Sequence, residues 1–152
     1  MKELIGVWKL LFINSTRPTN SASQKTTLSG RIMFTADGYM NALIRDPDTG
    51  RHLPNNVEWS FATDAQIGSI ARPVTSYCGL YTVRNESGEI YTHTKLDVSL
   101  DPSWMDDEQV RHATFEQKDG KSLMTLIPVE NGSLSNTMLV WEKLDLPTLT
   151  MI

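Results

Sequence analysis

The chain has 152 residues, 39% of them hydrophobic and 21% charged, a balance that excludes a disordered segment and suits one domain with one core, taken here as residues 1–152. The formal net charge of −4 argues against a nucleic-acid binder, which needs a basic field, and against an anionic membrane surface. A single cysteine, Cys78, cannot form an internal disulfide, and the N-terminal run Met1–Trp8 lacks a signal-peptide core, so the chain reads as cytoplasmic, a monomer or homodimer with no nucleic-acid or membrane partner.

Strands are marked by period-2 alternation with turn residues between them. Residues 5–13 set Trp8, Leu10 and Phe12 against Lys9 and Leu11. Residues 14–27 carry almost no apolar side chains and read as an exposed loop. Two β-rich runs, 30–35 and 39–45, flank Ala36-Asp37-Gly38, where Asp-Gly supplies the positive φ of a tight hairpin. Residues 46–56, with two prolines, a glycine and two asparagines, loop again. Within 57–72, Asp64 is placed to cap a short helix through Ile67 and Ile70, which Pro73 ends. Residues 77–84 return to strand and turn at Asn85 to Gly88.

Two long strands follow, from Tyr91 to Leu100 and onward from Glu108, joined across Asp101-Pro102-Ser103-Trp104. Lys118-Asp119-Gly120-Lys121 is the strongest hairpin signal in the chain. Residues 122–127 and 137–143 are the last strands, around a Gly/Ser/Asn loop. Eight strands in sequence-adjacent hairpins, with no βαβ unit, predict an all-β fold: an eight-stranded antiparallel up-and-down barrel with one short helix. A sandwich of the same strands is the alternative. A barrel of this size holds packed side chains or one small ligand.

Gly6-x-Trp8-x-Leu10 is similar to the opening signature of lipocalins, in which the tryptophan closes one end of the barrel beneath a basic residue from the last strand, here Lys143. The wider set resembles the lipocalin-like domain family of bacteria and fungi. It comprises Phe34-Thr35-Ala36-Asp37-Gly38-Tyr39-Met40, Tyr77-Cys78-Gly79-x-Tyr81-x-Val83, Val98-Ser99-Leu100-x-Pro102-x-Trp104, Glu108-Gln109-Val110-Arg111 and Leu139-x-Trp141-Glu142. These motifs span nearly the whole chain in the expected order. Members often carry a histidine pair just before the Ser99-Leu100 match; this sequence has Thr94, Lys95 and Leu96 there, with His93 alone nearby. The resemblance implies a lipocalin-like barrel and a hydrophobic ligand. In related proteins of natural-product pathways it implies a cofactor-free cyclase or isomerase acting on a polyketide or terpenoid intermediate.

If the loop between the long strands is a simple reversal near Trp104, Asp97 faces Arg111 and Ser99 faces Gln109, with facing residues about 5 Å apart. Inside the barrel, Asp97 and Arg111, with Lys95 and His93, would be polar aids to catalysis. The opposite row, Thr92, Thr94, Leu96, Val98, Leu100 and Val110, is the more apolar, so pattern alone makes that row the core and turns Asp97 to water as a surface ion pair. The resemblance favours the interior arrangement. Trp8, Phe34, Met40, Tyr77, Tyr81 and Trp104, with Ser99 and Gln109, are the expected ligand-lining residues, although core packing also accounts for aromatics on strands.

No cofactor is called for. His52 and His112 complete no metal triad with His93, and Asp46-x-Asp48-x-Gly50 is half a calcium loop without its closing glutamate. Cys78 has no evident base beside it and reads as a small buried hydrophobe. Three functions remain: a cyclase or isomerase working by confinement, a carrier of small hydrophobic molecules, or a filled barrel that binds a partner.

Overall fold

The computed structural model describes residues 2–16, 23–26, 28–46 and 53–147. His52 and most of the Asp46–Gly50 run therefore lie outside the described residues, as does part of the 14–27 and 46–56 segments. The strands are β1 (Gly6–Thr16), β2 (Ser23–Thr26), β3 (Ser29–Phe34), β4 (Tyr39–Arg45), β5 (Thr75–Glu86), β6 (Glu89–Ser99), β7 (Gln109–Lys118), β8 (Lys121–Glu130), β9 (Ser133–Leu134) and β10 (Thr137–Lys143). One helix, α1 (Asp64–Ala71), lies between β4 and β5.

Every pairing is antiparallel, and the order β10-β1-β3-β4-β5-β6-β7-β8 closes on itself through β8 and β10. The expected eight-stranded barrel is the observed one. Among the described residues closure leaves no long unpaired edge, which removes the template for edge-to-edge pairing. β2 and β9 are short additions to β1 and β8. The reading of 14–27 as loop is corrected: β1 continues to Thr16 and pairs with Ser23–Thr26. Ladder hydrogen bonds need no apolar side chain, so hydrophobic patterning is silent there.

Local chemistry accounts for the turns. Asp119 (φ 52°) and Gly120 (φ 76°) form the two-residue turn expected between β7 and β8, and Ser87 (φ 56°) and Gly88 (φ 94°) do the same between β5 and β6. Between β3 and β4 only Gly38 (φ 91°) is left-handed, and the loop is held by Thr35, whose N–H donates to the Tyr39 carbonyl at 2.9 Å. The cap of α1 is Thr63, one residue before the expected Asp64: its hydroxyl accepts from the Gln66 N–H while the Gln66 side chain accepts from the Thr63 N–H.

The core alternates as the pleat requires. Ile32 and Phe34 on β3 and Met40, Ala42 and Ile44 on β4 point inward, with Trp8, Leu10, Met124, Leu126 and Trp141 from the closing strands. Gly79 has a specific reason to be glycine. A Cβ there would stand 2.1 Å from the Lys95 carbonyl oxygen and 2.7 Å from Leu96 Cα. No helix among the described residues is long and apolar enough to cross a membrane.

Candidate functional site

The geometry of β6 and β7 decides which side chains enter the barrel. Their register pairs Thr92 with Arg111 and Thr94 with Gln109. The simple reversal that set Asp97 opposite Arg111 is thus corrected. The Lys95–Ser99 end of β6 overhangs β7 and pairs with β5 alone, and a turn of 3-10 helix, Pro102–Met105, occupies the crossing. A second irregularity acts on the same segment. Cys78 pairs with Val98 but Gly79 pairs with Leu96, so Asp97 is the extra residue of a β-bulge. The close approach of Gly79 to the Lys95 carbonyl is the contact that accommodates it. The bulge turns Asp97 and Val98 outward in succession and returns Ser99 to the side of Tyr77.

The interior is therefore lined from β6 by Thr92 and Thr94 and from β7 by Gln109 and Arg111. Ile32, Phe34, Met40, Tyr77 and Leu126 complete the wall. Arg111 donates to the Val110 carbonyl at 2.9 Å and to Gln109 Oε1 at 3.2 Å, and Gln109 Nε2 in turn donates to the Trp104 carbonyl at 3.4 Å. No carboxylate of the described residues lies within ion-pair distance of Arg111. The free space among these side chains is about 10 Å³, room for about one water.

Asp97, Lys95 and His93 are not in this lumen. Asp97 is exposed on the outer wall, where it accepts a 2.8 Å hydrogen bond from the Tyr39 hydroxyl and a 3.8 Å contact from Cys78 Sγ. Hydrogen bonding with Cys78, then with Asp97, holds the Tyr39 hydroxyl well above the usual phenol range. Cys78, expected to be buried, is half-buried on this outer wall. Lys95 is exposed beside Leu80. His93 points out from the barrel beneath Glu108, its Nδ1 2.8 Å from Glu108 Oε2. His112 is held in the same way by Glu89 at 2.7 Å.

The expected aromatics separate by end. Trp8 is buried at the closed end, where its indole N–H donates to the Leu4 carbonyl at 2.9 Å and the Lys143 ammonium lies 5.1 Å from its ring centre. The expected crossing of Trp8 by Lys143 is the observed one. Phe34 meets Tyr81 edge to face at 5.1 Å, and the Tyr81 hydroxyl donates to the Thr35 carbonyl at 2.6 Å. Burial, and then the charge of Asp37, raise the Tyr81 hydroxyl above its ordinary value. At the opposite end Trp104 packs on Tyr77 with ring centres 5.5 Å apart. Outside that pair lies a cleft of about 410 Å³ bordered by Trp104, Ser99, Leu100, Arg72 and Val74. Tyr77 lines the lumen and Trp104 the cleft, so the two rings form the partition between them.

An antiparallel cup closed at one end by a Trp–Lys contact and bordered at the other by the Tyr77–Trp104 pair has a lipocalin-type architecture. A family profile described as lipocalin-like domain matches residues 5–144, and the chain belongs to that family. No curated protein matches the sequence. The barrel is of the kind that binds small hydrophobic molecules.

Sequence reasoning missed the lumenal roles of Thr92, Thr94, Ile32 and Leu126. The signal was present: on β6 the more apolar row is the core, and Thr92 and Thr94 belong to it.

Proposed function

We propose that the barrel binds a small hydrophobic molecule bearing an anionic or strongly polarised carbonyl head, which is seated against Arg111. One observation carries this reading: a guanidinium borders a largely apolar lumen and has no carboxylate of the described residues within ion-pair distance. Such a cation is costly to retain unless something pairs with it. An arginine fork also matches a carboxylate or enolate better than any other side chain does. The lumen is nearly filled, so the ligand enters by displacing side chains at the mouth. Trp104 sits on a short 3-10 turn, and Met40 is an unbranched side chain that repacks readily. The body of the ligand then occupies the mouth cleft and the space vacated by the two rings.

Decanoate and decanol, which share a tail and differ in head group, test this. Titration followed by tryptophan fluorescence is expected to give micromolar to millimolar binding of decanoate. Arg111→Gln is expected to weaken decanoate about tenfold or more and leave decanol nearly unchanged. Equal decanoate affinity in the variant would sink the proposal.

A finer reading is a cofactor-free cyclase or isomerase of a polyketide-like or terpenoid intermediate. The place of the Arg111 guanidinium on the small lumenal space supports it, since a donor aimed at a carbonyl oxygen stabilises the enolate formed from it. In this reading Arg111, oriented by Gln109, acts on the substrate, while Asp97, Lys95 and His93 do not touch it. Turnover of a β-dicarbonyl substrate that survives Asp97→Ala and is lost in Arg111→Gln is the expected pattern.

A further inference from the structure

A further cavity, distinct from the lumen and the mouth cleft, lies on the outer wall of β6, β7 and β8. It measures about 390 Å³ and is lined by Glu86, Tyr91, His93, Val110, Val129 and Leu134. That volume falls within the range of small-molecule sites. One rim comes from the β8–β9 hairpin, which pairs Val129 with Leu134 across a tight turn at Asn131 (φ 51°) and Gly132 (φ 76°). The turn carries Leu134 to the edge of the cavity although that side chain is 49% exposed.

His93 is 9% exposed, yet its Nε2 has no hydrogen-bond partner. The nearest carboxylate oxygen, Glu86 Oε1, is 3.8 Å away, too far for a hydrogen bond. The other ring nitrogen is committed. Nδ1 stands 2.8 Å from Glu108 Oε2, which as a carboxylate can only accept, so Nδ1 carries the proton. In the neutral ring Nε2 is then a lone-pair acceptor. A buried acceptor left unsatisfied costs stability. It stands next to Glu86, a second acceptor that borders the same cavity.

Two acceptors side by side, one of them anionic, call for a ligand group that only donates. The remaining lining (the Tyr91 ring, Val110, Val129 and Leu134) calls for an apolar body. Arg84, the cation facing Tyr91 across the β5–β6 ladder, is not part of the lining. We infer that this groove is a binding site for a small hydrophobic ammonium, whose N–H groups donate to His93 Nε2 and Glu86 while an aromatic or branched aliphatic body lies along Tyr91, Val129 and Leu134. It is separate from the lumen, and it takes a cation where the lumen takes an anion.

Tryptamine, tryptophol and indole-3-acetate carry one ring system with a cationic, a neutral and an anionic head. The Cε1–Hε1 signal of His93 in the full-length chain, assigned by its loss in His93→Gln, reports occupancy. Tryptamine is expected to move that signal saturably in the millimolar range, tryptophol more weakly and indole-3-acetate least. Glu86→Gln, at a side chain 56% exposed and so safe for folding, is expected to weaken tryptamine about fivefold and leave tryptophol as before. A His93 signal that tryptamine does not move, indole-3-acetate binding as well as tryptamine, or an unchanged tryptamine affinity in Glu86→Gln would each overturn the assignment.

Discussion

At the scale of single residues, Asp97 and Arg111 went to opposite sides of one wall. Asp97 is solvated and hydrogen-bonded to Tyr39, so Asp97→Asn is expected to change stability by less than about 1 kcal/mol in a urea titration. Arg111 is the reverse case. Replacing a lumenal guanidinium by an apolar side chain of similar length is often neutral or stabilising, so Arg111→Met is expected to raise the unfolding free energy from urea titration by about 1 kcal/mol while abolishing decanoate binding. An unfolding free energy that fell by about 3 kcal/mol or more would show Arg111 to be structural. Tyr81 makes the pH dependence explicit. Its folded value lies above the ordinary 10.0, so the unfolded chain loses that proton first. Its contribution is complete below about pH 10 and declines as pH rises toward the folded value. Urea midpoints measured between pH 8 and pH 11 should fall less in Tyr81→Phe than in the wild type.

At the scale of elements, the β5–β6 pair is where geometry and composition meet. Gly79→Ala would force a Cβ into the Lys95 carbonyl, a backbone group that cannot swing aside. The expected cost is about 3 kcal/mol, at the upper end for overpacking, read from chemical denaturation. Loss of the bulge would also return Val98 to the inner row, which amide chemical shifts along β6 would register. The helix α1 is a contrast. It buries no residue completely, and its capping box is its main local support. Thr63→Ala is expected to cost about 1 kcal/mol, visible as faster amide exchange confined to α1.

At the scale of the whole molecule the barrel has a rigid end and a changeable one. Trp8, Trp141 and Met124 are essentially inaccessible and pack at the closed end with Lys143 over Trp8. Trp141→Ala should cost about 3–5 kcal/mol in denaturation, as large-to-small changes in a tight core do. Trp104, half-exposed at the mouth, belongs to no such cluster. Trp104→Ala is expected to cost little stability and to speed decanoate association in stopped flow, because the partition over Tyr77 is thinned. Slower association would mean that the indole contacts the ligand and does not gate it.

Much of this was legible in the chain. Hairpin turns at Asp119-Gly120 and Gly88 and inward alternation along β3 and β4 follow from short-range stereochemistry, while the meeting of Trp8 with Lys143 was implied by the family resemblance. On β7, alternation put Val110 inward and only the family resemblance put Gln109 and Arg111 there; the structure has Gln109 and Arg111 in the lumen and Val110 on the outer wall. The far end of β6 was not. Which way residue 97 points depends on the β6–β7 register across a nine-residue crossing and on one extra residue in the β5–β6 ladder. Neither leaves a period in the sequence: the bulge is accommodated by the close approach of two backbones at Gly79, and the register depends on the path of the 100–108 crossing. Alternation alone already turned Asp97 to water; what only the assembled sheet decided is that Arg111 faces the hollow opposite Thr92 and does not pair with Asp97 on the surface.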